Sequence, residues 1–408
     1  TVETAEEETA VEFSLSLNKP ASEVTDAIIS VGDASIIEKY NADHGTSYVP
    51  LSPENVSVND GGLVVVFEGD SKSDPIEVTI TTDESMSQNV TYAFPLQVTS
   101  TTPGVHSGAD HIVFVKNCKG KKFASSAKPS GIKLFSCMET GSTNPLFHKS
   151  FMLEKSGLPL FDVVILFSAK IVYDEEECRL KIWNTPAISG IIQSDVVKQL
   201  HDYGMKVIIS VLGSDEAGVA HLTDAACRTF AQEIANYCEA YDLDGVFFDD
   251  EYTYSWNHPG LTSPSTDRAA RLCFETKMAM PDKMVTCYIY SRTYGFYKKI
   301  EGMEPGDFVD YAISDYGSWD YEHYYLGMER NQVSPCSANF AYSYARWTAT
   351  QNNLQRVRNE GFGGFMVYCL TFHVADVWNR EMESLRNIAK YLYDDNLVFT
   401  GEKPETTW

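Results

Sequence analysis

From about residue 130 onward the sequence keeps one rhythm: a short apolar run, then an amphipathic stretch with a helical stripe, repeated to the end. Eight such runs stand out, at 132–138, 161–167, 206–212, 243–249, 285–290, 311–314, 338–342 and 364–370. Most are apolar throughout instead of alternating, the pattern of parallel strands covered on both faces. Helices are legible between them. Ser194 is placed to cap a helix whose Val196, Val197, Leu200 and Tyr203 form one stripe, with Gly204 ending it. Phe230, Ile234, Cys238 and Tyr241 form a second stripe, and 265–280 and 376–393 follow the same rule. Strands alternating with helices eight times give an α/β fold class, a (β/α)8 TIM barrel over residues 128–408. A doubly wound open sheet is the alternative, but no Gly-rich phosphate loop follows the first strand.

Residues 1–120 read as a small all-β sandwich domain preceding the barrel. Strand-like runs at 11–17, 63–68, 76–81, 90–98 and 112–116 are separated by Ser, Asn, Asp, Gly and Pro, and no long helical period competes. The stretch 100–108 looks like a linker, yet 112–116 is apolar enough to be one more strand. The boundary therefore falls between Lys119 and Lys128. This module holds no acid/base cluster, so a structural or glycan-presenting role is expected of it.

A formal net charge of -25 argues against nucleic-acid or anionic-membrane partners, because like charges repel, and tolerates a neutral ligand such as a polysaccharide. There is no run of 18 apolar residues, so no membrane-spanning segment is expected. The nine cysteines are scattered and show neither CxxC nor Cys/His zinc spacing, so no metal site is expected. Cys287 and Cys369 lie in apolar runs and read as buried free thiols. Residues 1–10 are acidic and lack a signal peptide's apolar centre; the chain is expected to be either cytoplasmic or to start after a removed signal.

The chemistry concentrates in 243–252, Leu-Asp-Gly-Val-Phe-Phe-Asp-Asp-Glu-Tyr. Strand side chains alternate faces, so Asp249 and Glu251 point into one space, with Phe247 one step deeper as an apolar floor. Asp244 and Asp250 face the other way and read as structural. Two carboxylates at the catalytic end of a fourth barrel strand suit acid/base work on a bond that must be protonated to break. Glu251, last and nearest the cleft, is the better proton donor, and burial beside a second carboxylate is expected to raise its pKa. The spacing leaves little room for a water between them, which disfavours direct inversion. Tyr252, Tyr254 and Trp256 follow in a loop, where Trp256 and Trp319 are candidate platforms for outer sugars. His258 and His373 have no partner visible in sequence.

Leu-Asp-Gly-Val-x-Phe-Asp-x-Glu resembles the signature of glycoside hydrolase family 18, Asp-Gly-x-Asp-x-Asp-x-Glu, at every position but the middle Asp, where Phe247 stands. Residues 206–213 resemble that family's third-strand Ser-x-Gly region with one extra residue, and 361–368 its final strand, with Tyr368 in place of a frequent Trp. Asp-Asp-Glu-Tyr at 249–252 and the second-strand run 160–167 resemble the endo-β-N-acetylglucosaminidase subgroup, over roughly 130–395. The first domain resembles, more loosely, the sandwich module preceding such domains in Bacteroides-type glycan-utilisation proteins, through 38–51 and 91–96.

The resemblance implies hydrolysis of the GlcNAc-β1,4-GlcNAc core of N-glycans by substrate-assisted, retaining catalysis, with Glu251 as acid/base and Asp249 orienting the acetamide. It implies Tyr316, Asp315, Tyr368 and Tyr290 as substrate-binding candidates, no cofactor, and a glycan or glycoprotein as partner of a monomer. It also implies export, to the cell surface as a lipoprotein or to the periplasm, by a signal absent from this chain. A chitinase-like hydrolase and a non-catalytic glycan-binding protein on the same scaffold are the alternatives.

Overall fold

A parallel strand buried on both faces needs a partner on each edge and a helix outside it. Residues of this chain meet that demand in a closed ring. The computed structural model describes residues 1–408 apart from 45, 89, 107, 109, 120, 124, 317–324, 342–348, 371–374, 402, 403 and 406–408. It divides into two units, Thr1–Ala124 and Ser125–Trp408.

In the second unit the ring runs Lys133–Glu139, Val163–Asp174, Lys206–Leu212, Gly245–Asp249, Met284–Ile289, Tyr311–Ser314, a seventh strand in two pieces, and Gly364–Tyr368, which pairs back with the first. It is a TIM barrel. Phe135, Cys137, Val163, Ile165, Ile208, Phe247, Tyr288, Ile313 and Met366 fill its interior. The alternate residues, Leu134, Val164, Val207, Ile209, Val246 and Phe248 among them, belong to the outer core that also holds the helix faces. Helices Asp224–Ala240, Thr266–Ala279, Gln351–Asn359 and Ala375–Tyr393 follow the third, fourth, seventh and eighth strands.

The seventh strand differs from the expected 338–342. Val333–Ser334 pairs with the sixth strand, and Ser337–Asn339 pairs with the eighth. Pro335 between them has no N–H to give the ladder, so the run breaks and shifts there. The second strand continues past the barrel and folds back as Arg179–Trp183, antiparallel to it. That hairpin is half-exposed and alternating, so it offers no apolar run to notice. The fourth strand starts at Gly245, where a Cβ would lie 2.1 Å from the carbonyl oxygen of Met284. The helix expected to run from Ser194 to Gly204 is shorter, Val196–His201. Among the described residues no helix is long and apolar enough to cross a membrane.

The bottom of the fourth strand is tied by Asp244, whose carboxylate accepts the Val207 N–H at 2.8 Å and meets His201 Nε2 at 2.7 Å. Asp242 lies 3.2 Å from the other ring nitrogen. Burial pushes the His201 imidazolium toward neutrality, but the two carboxylates outweigh it and raise its pKa to about 9. A folded pKa above the unfolded value of about 6.5 means this contribution is complete below pH 6.5 and is lost as pH rises through 9. Urea unfolding of the wild type at pH 6 and pH 9.5 is expected to show a loss on the order of 2–3 kcal/mol that His201→Gln does not show. An equal loss in both proteins would remove His201 as its cause.

The first unit packs the sheet of Val2–Thr4, His111–Asn117, Thr91–Thr99, Thr25–Val31 and Leu63–Val66 over the sheet of Glu8–Phe13, Ile76–Thr81 and Val56–Val58. Ala27, Ile29, Val64, Val78, Ile80, Phe94 and Val115 form the core between them. A helix the sequence pattern did not announce, Ser35–His44, fully buries only Ile37, with Tyr40 partly buried beside it, too short a stripe to mark a helix.

Candidate active site

The alternation that fills the barrel also sets the site. Phe247 is inside the barrel and Phe248 in the outer core, so the next inward residue is Asp249, buried at the strand's end. Glu251 is one further step on and partly exposed. Its backbone is held by a neighbour that must be glycine. A Cβ on Gly213, at the end of the third strand, would lie 2.3 Å from the Glu251 carbonyl oxygen and 2.3 Å from Thr253 Oγ1.

Asp249 Oδ1 is sealed from solvent and has no hydrogen-bond partner among the described residues. Burial above all, then the charges of Glu251, Asp250 and Asp315, hold its pKa well above the usual carboxylate range. Glu251 is also raised, by burial and by Asp315 and Asp250, against a hydrogen bond from Tyr252 that lowers it. Burial and like charge thus act on both carboxyls in one direction, toward the protonated form. Asp250 points away, as expected, and accepts the Arg292 N–H at 3.0 Å.

The remaining candidates fall around this pair. Asp315 follows the sixth strand; its Oδ1 accepts the Tyr288 hydroxyl at 2.5 Å and the Tyr316 N–H at 2.6 Å. The Tyr316 ring lies 6.2 Å from Tyr288 and 5.7 Å from Tyr368. Tyr368 ends the eighth strand, 6.0 Å from Phe167 edge to face. Tyr290 lies one residue beyond the fifth strand, exposed, with its ring parallel to Tyr288 at 5.7 Å. These contacts bring Asp249, Glu251, Asp315, Tyr316, Tyr368 and Tyr290 to one end of the barrel, the end where such barrels carry their chemistry.

A family model described as an N-terminal domain matches residues 1–105. The endo-β-N-acetylglucosaminidase F1 of Elizabethkingia meningoseptica is 38% identical over 322 residues, 78% of this chain and 94% of that protein. The chain belongs to the endo-β-N-acetylglucosaminidases, glycoside hydrolases on the family 18 barrel. An endo-β-N-acetylglucosaminidase of Flavobacterium sp. (strain SK1022) is 27% identical over 220 residues, 53% of this chain and 68% of its own. Among solved structures, EndoBT-3987 of Bacteroides thetaiotamicron with Man5GlcNAc product matches at TM-score 0.87 and 29% identity, over 98% of this chain and 95% of that one. The same protein with Man9GlcNAc2Asn substrate matches at TM-score 0.78 and 27% identity, over 98% and 94%.

The enzyme carries site residues that sequence reasoning passed over. Glu139 ends the first strand, two residues above the interior Cys137, and accepts a hydrogen bond from the Tyr368 hydroxyl. Tyr288 is likewise an interior strand residue two before Tyr290. Counting inward faces to the strand ends would have found both. Two groups turn out differently from their sequence reading. Cys369 is only partly buried and adopts φ +58 just past the eighth strand, whereas Cys287 is buried. His258 does have partners: it stacks on Tyr173 at 4.6 Å and lies 3.4 Å from Glu175 and 3.3 Å from Glu216. Trp256 packs 5.4 Å from His221 and is 38% exposed, while Trp319 and His373 lie outside the described residues.

Proposed function

We propose that the enzyme cleaves the bond between the two core GlcNAc residues of N-glycans, with Glu251 as acid and then base and Asp249 as the group that orients the substrate's acetamide. The observation that carries this reading is Asp249 Oδ1, a buried acceptor beside Glu251 that has no donor among the described residues. A buried acceptor left unpaired is costly. The N–H of a 2-acetamido group would satisfy it and aim the carbonyl oxygen at C1. Glu251 then gives its proton to the glycosidic oxygen as the acetamide oxygen attacks C1 and the C1–O bond breaks. Asp249 stabilises the positive charge of the resulting oxazolinium ion. Glu251, now a carboxylate, takes a proton from water as that water opens the ring at C1, and configuration is retained. Phe247 gives Asp249 no inner carboxylate to turn toward, so Asp249 stays directed at the sugar. Tyr316, Asp315 and Tyr368 bound the acetamide pocket, and Tyr290 lines its mouth.

The substrate class rests on relatives. EndoBT-3987 is described with a substrate bearing two GlcNAc on Asn and with a product bearing one. A monomeric enzyme exported to meet glycoproteins fits the same reading. Incubation with a high-mannose glycoprotein, followed by mass spectrometry, is expected to leave one GlcNAc on each Asn. Loss of both GlcNAc residues, or turnover of chitooligosaccharides alone, would overturn the proposal.

A further inference from the structure

Tyr368 closes the eighth strand with its backbone fixed on both edges. It sits opposite Cys137 of the first strand and Asn339 of the seventh, and its carbonyl accepts the Phe340 N–H at 3.0 Å. The chain turns away at once: Cys369 takes φ +58 and gives its N–H to the Cys137 carbonyl at 2.9 Å. The side chain is held differently. Phe167 meets the ring edge to face at 6.0 Å, and Tyr316 meets it at 5.7 Å and an interplanar angle of 40°. Both are ring contacts, which do not hold the hydroxyl. Glu139 does, because its Oε1 accepts the phenol proton.

Glu139 has a fixed base from which to do so. It lies opposite Phe167 of the second strand, one inward step beyond the Cys137 that faces Tyr368. Its own carbonyl accepts the Ser142 N–H and hydroxyl, both at 3.1 Å, and the Thr143 N–H at 3.3 Å. Stability alone is a poor reason for an acid here. The same barrel end already carries Asp249, Glu251 and Asp315, and a further carboxyl adds like charge. A phenol that is only partly buried can also bond to water, so a protein acceptor adds little net stability. What a carboxylate acceptor adds is direction, since charge-assisted bonds are shorter and stronger than neutral ones.

We infer that Glu139 is a positioning residue, which fixes the Tyr368 phenol so that the ring makes a rigid wall for the sugar whose acetamide Asp249 orients. The inference rests on the function proposed above. Attack by the acetamide oxygen on C1 is intramolecular, so its rate depends on how narrowly the sugar is held in the reactive pose. A wall free to swing lets the sugar rock out of that pose while still touching it. Loss of the bond therefore falls on kcat, because the ring surface that the sugar meets is unchanged.

The test is kcat and KM, measured separately on a high-mannose Asn-glycopeptide, for wild type, Tyr368→Phe, Glu139→Ala, Glu139→Gln, the double variant Glu139→Ala/Tyr368→Phe, and Glu251→Gln. Tyr368→Phe keeps the ring and removes the donor; it is expected to lower kcat about 10-fold, with KM within about twofold of wild type. Glu139→Ala is expected to match it, and the double variant to be no slower than either single, since the bond can be lost only once. Glu139→Gln keeps an acceptor and is expected to recover most of the lost kcat. Tyr368→Phe changes no charge, so its result stands even where Glu139→Ala fails to fold. Wild-type kcat in Tyr368→Phe, losses that multiply in the double variant, or a Gln variant as slow as the Ala variant would each overturn the inference. With Glu251→Gln inactive, any of these leaves the acid assignment standing. Full activity in Glu251→Gln would overturn both.

Discussion

Replacing Glu251 with Gln is expected to lower kcat/KM by on the order of 10³-fold or more, with glycopeptide binding retained. The side chain keeps its shape and its place beyond the strand end, so the fold has no reason to change. Both chemical steps lose their proton carrier, because one carboxyl serves as acid in the first and base in the second. Asp249→Asn is expected to cost about 10²–10³-fold, the scale of removing one preorganised group from a developing charge. Its pH profile carries a sharper signature. Asp249 is a like-charged neighbour of Glu251, so neutralising it lowers the proton affinity of Glu251 and moves the alkaline limb down in pH. Glycan release followed by mass spectrometry, with binding measured separately by calorimetry, checks both variants. More than a tenth of wild-type turnover in Glu251→Gln would sink the acid assignment.

How far the sequence reaches depends on how local the determining contact is. The alternation of Phe247 and Phe248 follows from strand geometry alone, and the barrel has Phe247 inside and Phe248 outside. The strands 206–212 and 311–314 are bounded as their apolar runs indicate. Features set by distant partners were not legible. The hydrogen bond from Tyr368 to Glu139 joins residues 229 positions apart, so counting faces finds Glu139 but not the partner it meets. The break in the seventh strand depends on which neighbour each half meets, a property of ring closure and not of 333–339 by themselves. The left-handed turn at Tyr252 is invisible for a related reason. Gly213, which sets the packing beside it, lies just past the preceding strand, and tyrosine is not a residue from which a positive φ is read.

The largest structural loss is expected at the opposite end of the barrel, from Lys128 and Asp162. Their side chains are 1% and 4% exposed, with Lys128 Nζ 2.9 Å from Asp162 Oδ2. The ammonium also donates to the Leu160 carbonyl at 2.7 Å and lies 5.0 Å from the centre of the Tyr393 ring. Asp162 accepts the Leu134 N–H at 2.8 Å and the Ser126 hydroxyl at 3.2 Å. One ion pair thus joins the segment before the first strand, the starts of the first two strands, and the last turn of the final helix. Burial pulls the Lys128 pKa down, and the Asp162 charge resists that pull. Removing either partner leaves the other charge without compensation in a dry site. Lys128→Met and Asp162→Asn are each expected to destabilise the fold by about 3–5 kcal/mol, a fall in Tm on the order of 10 °C. The double variant is expected to cost clearly less than the sum, since the penalty of each single change is the stranded partner and not the lost attraction. Denaturant unfolding of the four proteins measures the coupling. Additive losses, or single losses below about 1 kcal/mol, would show that water reaches the pair and that the ends of these strands are held by packing alone.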